Sequence, residues 1–383
     1  MTAELKDRLQ QLEKWESPEI PILSLYLNLG PSIDERKSVG ARLRNLLEPI
    51  SGLDSDLERE ARMALRKSVD RLLGLEHEIA ANTGHCVAVF VGGKPELNEF
   101  LALPRKAWDR AMAGPRPYLR PYLAALDQFH RIATVVVDPR AASITTTYMR
   151  EVIDRTTVES PPIRKSDYAG WHGLDEHRVR QHAEEVHRRH YRQVAEQLQT
   201  LQLAEELDVI FVGGRDEAVA AFLQQLPGQL TSLVAETFTV DVHTLTPGQL
   251  TKIVAELEER YEKSLEERLV TEVIEAARGG GLGLVGVEPA LHAANLGAID
   301  LLLIAGTETL PGYVCDHCGW MSLQGPDCRS CGEKARAVPD IIESLVLRVR
   351  RDGANAEHVL PPSQLNGDDV AARLRFQLPS APV

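Results

Sequence analysis

Four cysteines near the C-terminal end of this 383-residue chain have the spacing of a metal site. Cys315 and Cys318 form one C-x-x-C pair, Cys328 and Cys331 form a second, and nine residues separate the two. A C-x-x-C turn aims two thiolates at one point, and two such turns complete a tetrahedral S4 site that suits Zn²⁺. Gly319 and Gly332, each directly after a pair, allow the tight backbone of such a turn. Four thiolates leave no open coordination position for water or substrate. The spacing therefore predicts a structural zinc ribbon over 313–334, with a redox-active dithiol pair as the competing chemistry. The fifth cysteine, Cys86, lies in the apolar run HCVAVFVGG and reads as a buried strand thiol rather than a nucleophile.

A second chemically suggestive region is 160–201. Its loop carries Arg164, Lys165, Gly170, Trp171, His172 and Gly173, and the helix expected over 175–201 carries Arg178, Arg180, Arg188, Arg189 and Arg192. A glycine-bearing loop with a tryptophan, backed by an arginine-rich helix, suits contact with an RNA backbone or a partner protein. The competing reading is a solvated helix, because Asp175, Glu176, Glu184 and Glu185 offset much of the charge. Val179, Ala183, Val186, Val194 and Leu198 supply its expected buried stripe. Histidines fall at 172, 177, 182, 187 and 190. Five-residue steps rotate about 140° on a helix, so four of them cannot share a face, while His187 and His190 are neighbours. There is no HExxH, and no Ser or Asp partner is placed for a catalytic triad. Gly213-Gly214, followed by Asp216, could cradle a phosphate or simply turn the chain. Gly279-Gly280-Gly281 lacks the Lys-Ser/Thr of a P-loop and reads as a hinge.

These residues need elements to hold them. The length calls for two or three domains. Hydrophobic content of 43% with 26% charged residues is that of a globular chain, and no apolar run is long enough to span a bilayer. The net charge of −13 argues against a protein that coats nucleic acid non-specifically. Cysteine usage fits a reducing cytoplasm. Three segments are expected. Residues 1–127 begin with a helix, then strand 22–27, a helical stretch 39–75 broken near 51–52, and strands 86–91 and 99–103. Residues 128–250 read β-β-β-α-β-α-β. Residues 251–383 begin within a charged helix over 250–277. Strand 282–287, helix 289–296 and strand 299–305 come next, then the ribbon, a last strand at 345–351, and a proline- and aspartate-rich tail. The fold class is α/β and α+β, with no internal repeat.

The run GLGLVGVEPALHAANLGAIDLLLIAG at 281–306 resembles the third domain of archaeal and eukaryotic class-1 peptide chain release factors and of Pelota. Gly286, Val287, Glu288, Leu291, Ala293, Gly297, Ala298, Ile299, Leu302, Leu303 and Ile304 stand in that pattern. Archaeal members carry a cysteine zinc insertion after it. The run ATVVVDPRAASI at 133–144 resembles the opening strands of the family's second domain, and HRRHYRQVAEQL at 187–198 the helix after its catalytic loop. LSLYLNLGPS at 23–32 looks like the start of a bacterial branch that includes the hibernation factor Balon. The resemblance implies a three-domain release-factor-like architecture: 1–127 towards the decoding centre, 128–250 towards the peptidyl-transferase centre, and 251–383 with the ribbon against a translational GTPase or the stalk base. It implies a cytoplasmic, ribosome-associated factor of the 70S A site, with elongation factor Tu as the expected GTPase and hibernation or protection under stress as the role. One departure stands out. Release factors carry Gly-Gly-Gln before the long helix; this chain has His172-Gly173-Leu174. Without the glutamine carboxamide, peptide release of that type is not expected and no catalytic residue is assigned. Two alternatives stay open: a peptidyl-tRNA hydrolase or rescue nuclease using His172 or His177, and a protein-interaction scaffold with no ribosome role.

Overall fold

In the computed structural model, residues 2–30, 32–52, 57–103, 105–127, 130–148, 151–160, 174–359, 365 and 370–378 are described. The chain divides into two compact units. One combines Met1–Gln128 with Leu265–Val383, and the other is Phe129–Ser264.

The first unit opens with α1 (Thr2–Glu13), β1 (Ile22–Asn28), α2 (Ile33–Lys37), α3 (Val39–Gly52), α4 (Arg59–Gly74) and α5 (Glu76–Ala81). Strands β2 (Cys86–Gly92), β3 (Leu97–Leu103) and β4 (Arg110–Gly114) and helix α6 (Arg120–Asp127) complete this part. The four strands form an antiparallel sheet in the order β3-β2-β1-β4. Strand β1 is covered on both faces. Leu23, Leu25 and Leu27 pack with Val39, Leu43, Leu47, Leu65 and Leu72 of the helices. On the other face, Ser24 accepts from the Tyr118 amide, and the Tyr26 hydroxyl donates to the Tyr118 carbonyl. Two-sided burial explains why the strand reads as nearly continuous apolar sequence.

The second unit contains β5 (Ile132–Val137), β6 (Ala141–Tyr148), β7 (Glu151–Glu159), α7 (Leu174–Glu205), β8 (Val209–Gly214), α8 (Asp216–Leu223), α9 (Gly228–Thr231), β9 (Val234–Thr239) and the start of α10 (Pro247–Arg278). Its sheet runs β7-β6-β5-β8-β9. The β7-β6-β5 half is antiparallel and the β5-β8-β9 half parallel. Alternation along β5 sends Ala133, Val135 and Val137 to the face covered by α7 and α8, and Ile132 and Val136 to the face covered by α10. This is an α/β layer with an antiparallel start, as the residue pattern predicts. Helix α10 begins at a capping box: the Thr246 hydroxyl accepts from the Gln249 amide, and the Gln249 carboxamide accepts from the Thr246 amide. Pro247 occupies the first helical position, where its missing N–H costs nothing.

The remainder of the first unit holds the end of α10, β10 (Gly283–Val285), α11 (Val287–Asn295), β11 (Ile299–Ala305), β12 (Gly312–Val314), β13 (Met321–Ser322), β14 (Arg336–Val338), α12 (Ile341–Arg351), β15 (Asn355–Val359) and β16 (Val370–Leu374). A mixed sheet runs β10-β16-β11-β15, and a small antiparallel sheet runs β13-β12-β14. Val270, Val273 and Ile274 of α10 pack on Leu301, Leu303, Val359 and Ala371 of the mixed sheet.

The expected strand at 345–351 is not a strand. It is the body of helix α12, whose buried residues Ile341, Ile342, Leu345, Val346 and Val349 recur at helical spacing. Asp340 caps it by accepting from the Ile342 amide. The apolar residues Leu345, Val346, Leu347 and Val349 also suit a strand, and the helical spacing prevails. Strands β15 and β16 likewise lie where a tail without structure was expected.

Candidate functional site

The ribbon is built by two matching turns. In the first, the Cys315 amide donates to the Trp320 carbonyl at 2.9 Å and the Gly319 amide to the Cys315 carbonyl at 2.8 Å. In the second, the Cys328 amide donates to the Glu333 carbonyl at 2.8 Å and the Gly332 amide to the Cys328 carbonyl at 2.9 Å. Both glycines have positive φ, 74° and 80°, which a side chain would strain. The turns hang from the β13-β12-β14 sheet. That sheet is fastened to α11 by Asn295, whose carboxamide donates to the Met321 carbonyl and accepts from the Met321 amide, both at 2.8 Å. Arg336 makes a two-pronged contact with Asp316 at 3.1 Å, linking β14 to the first turn.

All four sulfurs lie within 4.8 Å of one another. Cys315 Sγ is 3.5 Å from Cys331 Sγ, and Cys318 Sγ is 3.6 Å from Cys328 Sγ. A zinc ion at about 2.3 Å from each sulfur sets tetrahedral edges of roughly 3.8 Å, so the residues fit the ion. The thiols cannot all ionise side by side unaided. Desolvation raises Cys328, but the amides of Cys331 and Ser330 outweigh it and bring that thiol to about 6. The Glu333 amide lowers Cys331, but desolvation and the three neighbouring thiols hold it at about 12. A divalent cation would relieve that conflict by stabilising every thiolate at once. The set of four sulfurs closes the coordination shell, so the arrangement can hold a fold together but offers no position for a reacting group. Cys86, in contrast, is fully buried in β2, and burial pushes its thiol up to about 12.

The arginine-rich region divides. Arg164, Lys165, Gly170, Trp171, His172 and Gly173 lie outside the described residues, and Arg178 falls on α7 at a position whose side chain is also outside them. Arg188 and Arg189 are exposed on α7, with Arg188 bonded to Glu185 at 3.0 Å. The buried side of α7 is formed by His190, Tyr191, Val194, Ala195 and Leu198, with Ala183 and Val186 half-buried. His190 belongs to the core: burial lowers its pKa, and the Ala141 backbone works against that shift. The glycines that end β8 serve packing rather than a phosphate. A Cβ on Gly213 would meet the Phe238 ring at 2.2 Å, and one on Gly214 would meet the Val137 carbonyl at 2.4 Å. Asp216 and Glu217 open α8, which disfavours an anion at that helix end. Sequence reasoning missed Asn295 and Arg336 as supports of the metal centre. Neither carries a signal, because each acts through a partner brought near only by folding.

Residues 117–259 match the family described as bacterial archaeo-eukaryotic release factor family 10. The matched stretch runs from just before α6 into α10 and is similar to that family there. No curated protein sequence matches. Among solved structures, an archaeal translation termination factor, aRF1, shares 18% identity over 98% of both chains at a TM-score of 0.26. Dom34 of S. cerevisiae, a translation termination-like factor interacting with Hbs1, shares 12% over 76% of this chain and 75% of its own at 0.43. Archaeal Pelota, in a ribosome-bound assembly with ABCE1, shares 14% over 98% and 95% at 0.40.

Proposed function

We propose that this protein is a release-factor-like factor that occupies the A site of the bacterial 70S ribosome and protects or silences it under stress, without Gly-Gly-Gln-type peptide release. The observation that carries this reading is a combination. Residues 117–259 match the model of a bacterial release factor family, yet His172-Gly173-Leu174 stands where that chemistry needs a glutamine. The factor acts in the cytoplasm, and no described helix is long and apolar enough to cross a membrane. Function divides over 1–127, 128–250 and 251–383. The central part contacts rRNA through Arg164, Lys165, Gly170, Trp171, His172, Gly173, Arg178, Arg188 and Arg189. The C-terminal part, with Zn²⁺ on Cys315, Cys318, Cys328 and Cys331, meets a translational GTPase such as elongation factor Tu.

Co-sedimentation with purified 70S ribosomes over a salt series, with and without elongation factor Tu, tests the reading. Stoichiometric binding that A-site tRNA displaces is expected. Absence of binding in every ribosomal state would sink it and leave a release-factor-like fold used as a scaffold. Turnover of peptidyl-tRNA by the purified protein would overturn the non-catalytic half alone. Metal analysis of the purified chain is expected to find one zinc per molecule.

A further inference from the structure

Two of the close sulfur contacts cross between the two C-x-x-C turns. Each joins one exposed thiol to one buried thiol. Exposed Cys331 is 3.5 Å from buried Cys315, and exposed Cys318 is 3.6 Å from buried Cys328. Cys315 has no accessible surface and Cys328 retains 6%. A solvent-borne oxidant therefore reaches one member of each pair, and the second member waits behind it.

We propose that the cluster is an oxidation site with a fixed order and fixed partners. Cys331 and Cys318 react first with hydrogen peroxide, and Cys315 and Cys328 resolve them into two disulfides that cross between the turns and expel the metal. This inference rests on the zinc reading above. In each half, the exposed sulfur, held as a thiolate in the zinc-loaded chain, attacks one peroxide oxygen. An S–O bond forms, the O–O bond breaks, and hydroxide leaves and is protonated to water. The sulfur becomes a sulfenic acid as the peroxide is reduced. The buried thiolate then attacks that sulfur, the S–S bond forms, the S–O bond breaks, and a second hydroxide leaves as water. One peroxide is consumed for each disulfide, with two protons taken from solvent.

The crossing has a structural consequence. Disulfides within each C-x-x-C would cut the tie between the turns. Disulfides between Cys315 and Cys331 and between Cys318 and Cys328 replace the ion's tie with a covalent one. The ribbon stays closed, its attachment through Asn295 and Met321 is left in place, and a thiol reductant with zinc restores the starting state.

The test uses the full zinc-loaded chain. Hydrogen peroxide is added, zinc release is followed with a chromogenic chelator, and the products are alkylated and mapped by peptide mass spectrometry. Zinc loss in step with the Cys315–Cys331 and Cys318–Cys328 disulfides is expected, reversed by dithiothreitol and zinc. With dimedone present, Cys315→Ser is expected to carry the adduct on Cys331, whereas Cys331→Ser carries none on Cys315. Disulfides within the C-x-x-C pairs as main products, dimedone on the buried cysteines, or zinc retained in excess peroxide would each overturn the proposal. Protein purified without zinc would instead undo the metal reading. The disulfide map of the reduced, metal-free chain would then still decide the pairing.

Discussion

Arg120 is a guanidinium with no exposed surface. Its Nη1 donates to Asp340 Oδ2 at 3.0 Å and to the Glu308 carbonyl at 2.8 Å, its Nη2 donates to the Gly306 carbonyl at 3.0 Å, and its charge sits 5.6 Å over the Trp108 ring. Asp340 also accepts from the Tyr118 hydroxyl at 2.9 Å. Removing one partner strands the other charge in the interior, so Arg120→Met should cost about 3–5 kcal/mol, visible as a large fall in the thermal midpoint. Replacing Arg120 and Asp340 together by apolar residues should cost less than either single change. Glu343 shares this interior, where its Oε1 accepts from the Leu119 amide. Burial pushes its carboxyl up to about 8, the Leu119 amide pulls back, and the Asp340 charge adds to the rise. The folded state therefore holds this proton more tightly than the unfolded state does. Its contribution is complete below the ordinary glutamate range and declines as pH rises from there to about 8. Glu343→Gln keeps the acceptor without the charge. It should melt with wild type at pH near 4 and above it at pH near 9; a variant less stable at both would refute the assignment.

Helix α7 is the described element on which the proposed ribosome contact rests. Arg188 and Arg189 lie on its exposed side, and the Arg188–Glu185 pair is solvent-facing, so its loss costs only about 0.3–0.5 kcal/mol. Changing both arginines to glutamate should leave the melting curve within roughly 1 kcal/mol of wild type, yet weaken ribosome association and flatten its salt dependence. Unchanged association would move the contact off this helix. Gly213 in β8 gives the opposite expectation. Gly213→Ala drives a methyl into the Phe238 ring and should destabilise by about 1–3 kcal/mol, with no ligand involved. What the sequence made legible follows the same logic of local against distant cause. The cysteine spacing, the apolar run of β11 and the turn glycines are local, and they specify their elements unaided. Helix α12 was misread because Val346 and Val349 favour strands by propensity, while the Asp340 cap and the buried stripe overrule it. Strand β16, VAARL, has a composition that suits a helix; only its place between β10 and β11 makes it a strand. Asn295 and Arg120 are opaque for the same reason, since their partners lie far away in the chain.

At the scale of the molecule, one unit is assembled from both ends of the chain and the other from its middle. The Arg120 cluster shows what this does to the first unit. Tyr118, Leu119 and Arg120 come from its N-terminal part, and Asp340, Glu343 and the Gly306 and Glu308 carbonyls from its C-terminal part. Arg110 adds a bond to the Thr307 carbonyl at 2.9 Å. A fragment ending at Gln128 keeps its four-stranded sheet and the Leu23–Leu43–Leu65 core, but leaves Arg120 facing no carboxylate and Tyr118 without its acceptor. The central unit is continuous in sequence, and its two covering layers, α7 with α8 and the first half of α10, all fall between Phe129 and Ser264. Expressed alone, residues 129–264 should therefore fold and melt cooperatively. Residues 1–128 alone should be aggregation-prone or melt far below the full chain, and co-expression with residues 265–383 should rescue them. Circular dichroism melts of the three preparations decide this. A stable, cooperative 1–128 fragment would mean that the buried Arg120–Asp340 contact fastens two self-sufficient folds rather than completing one.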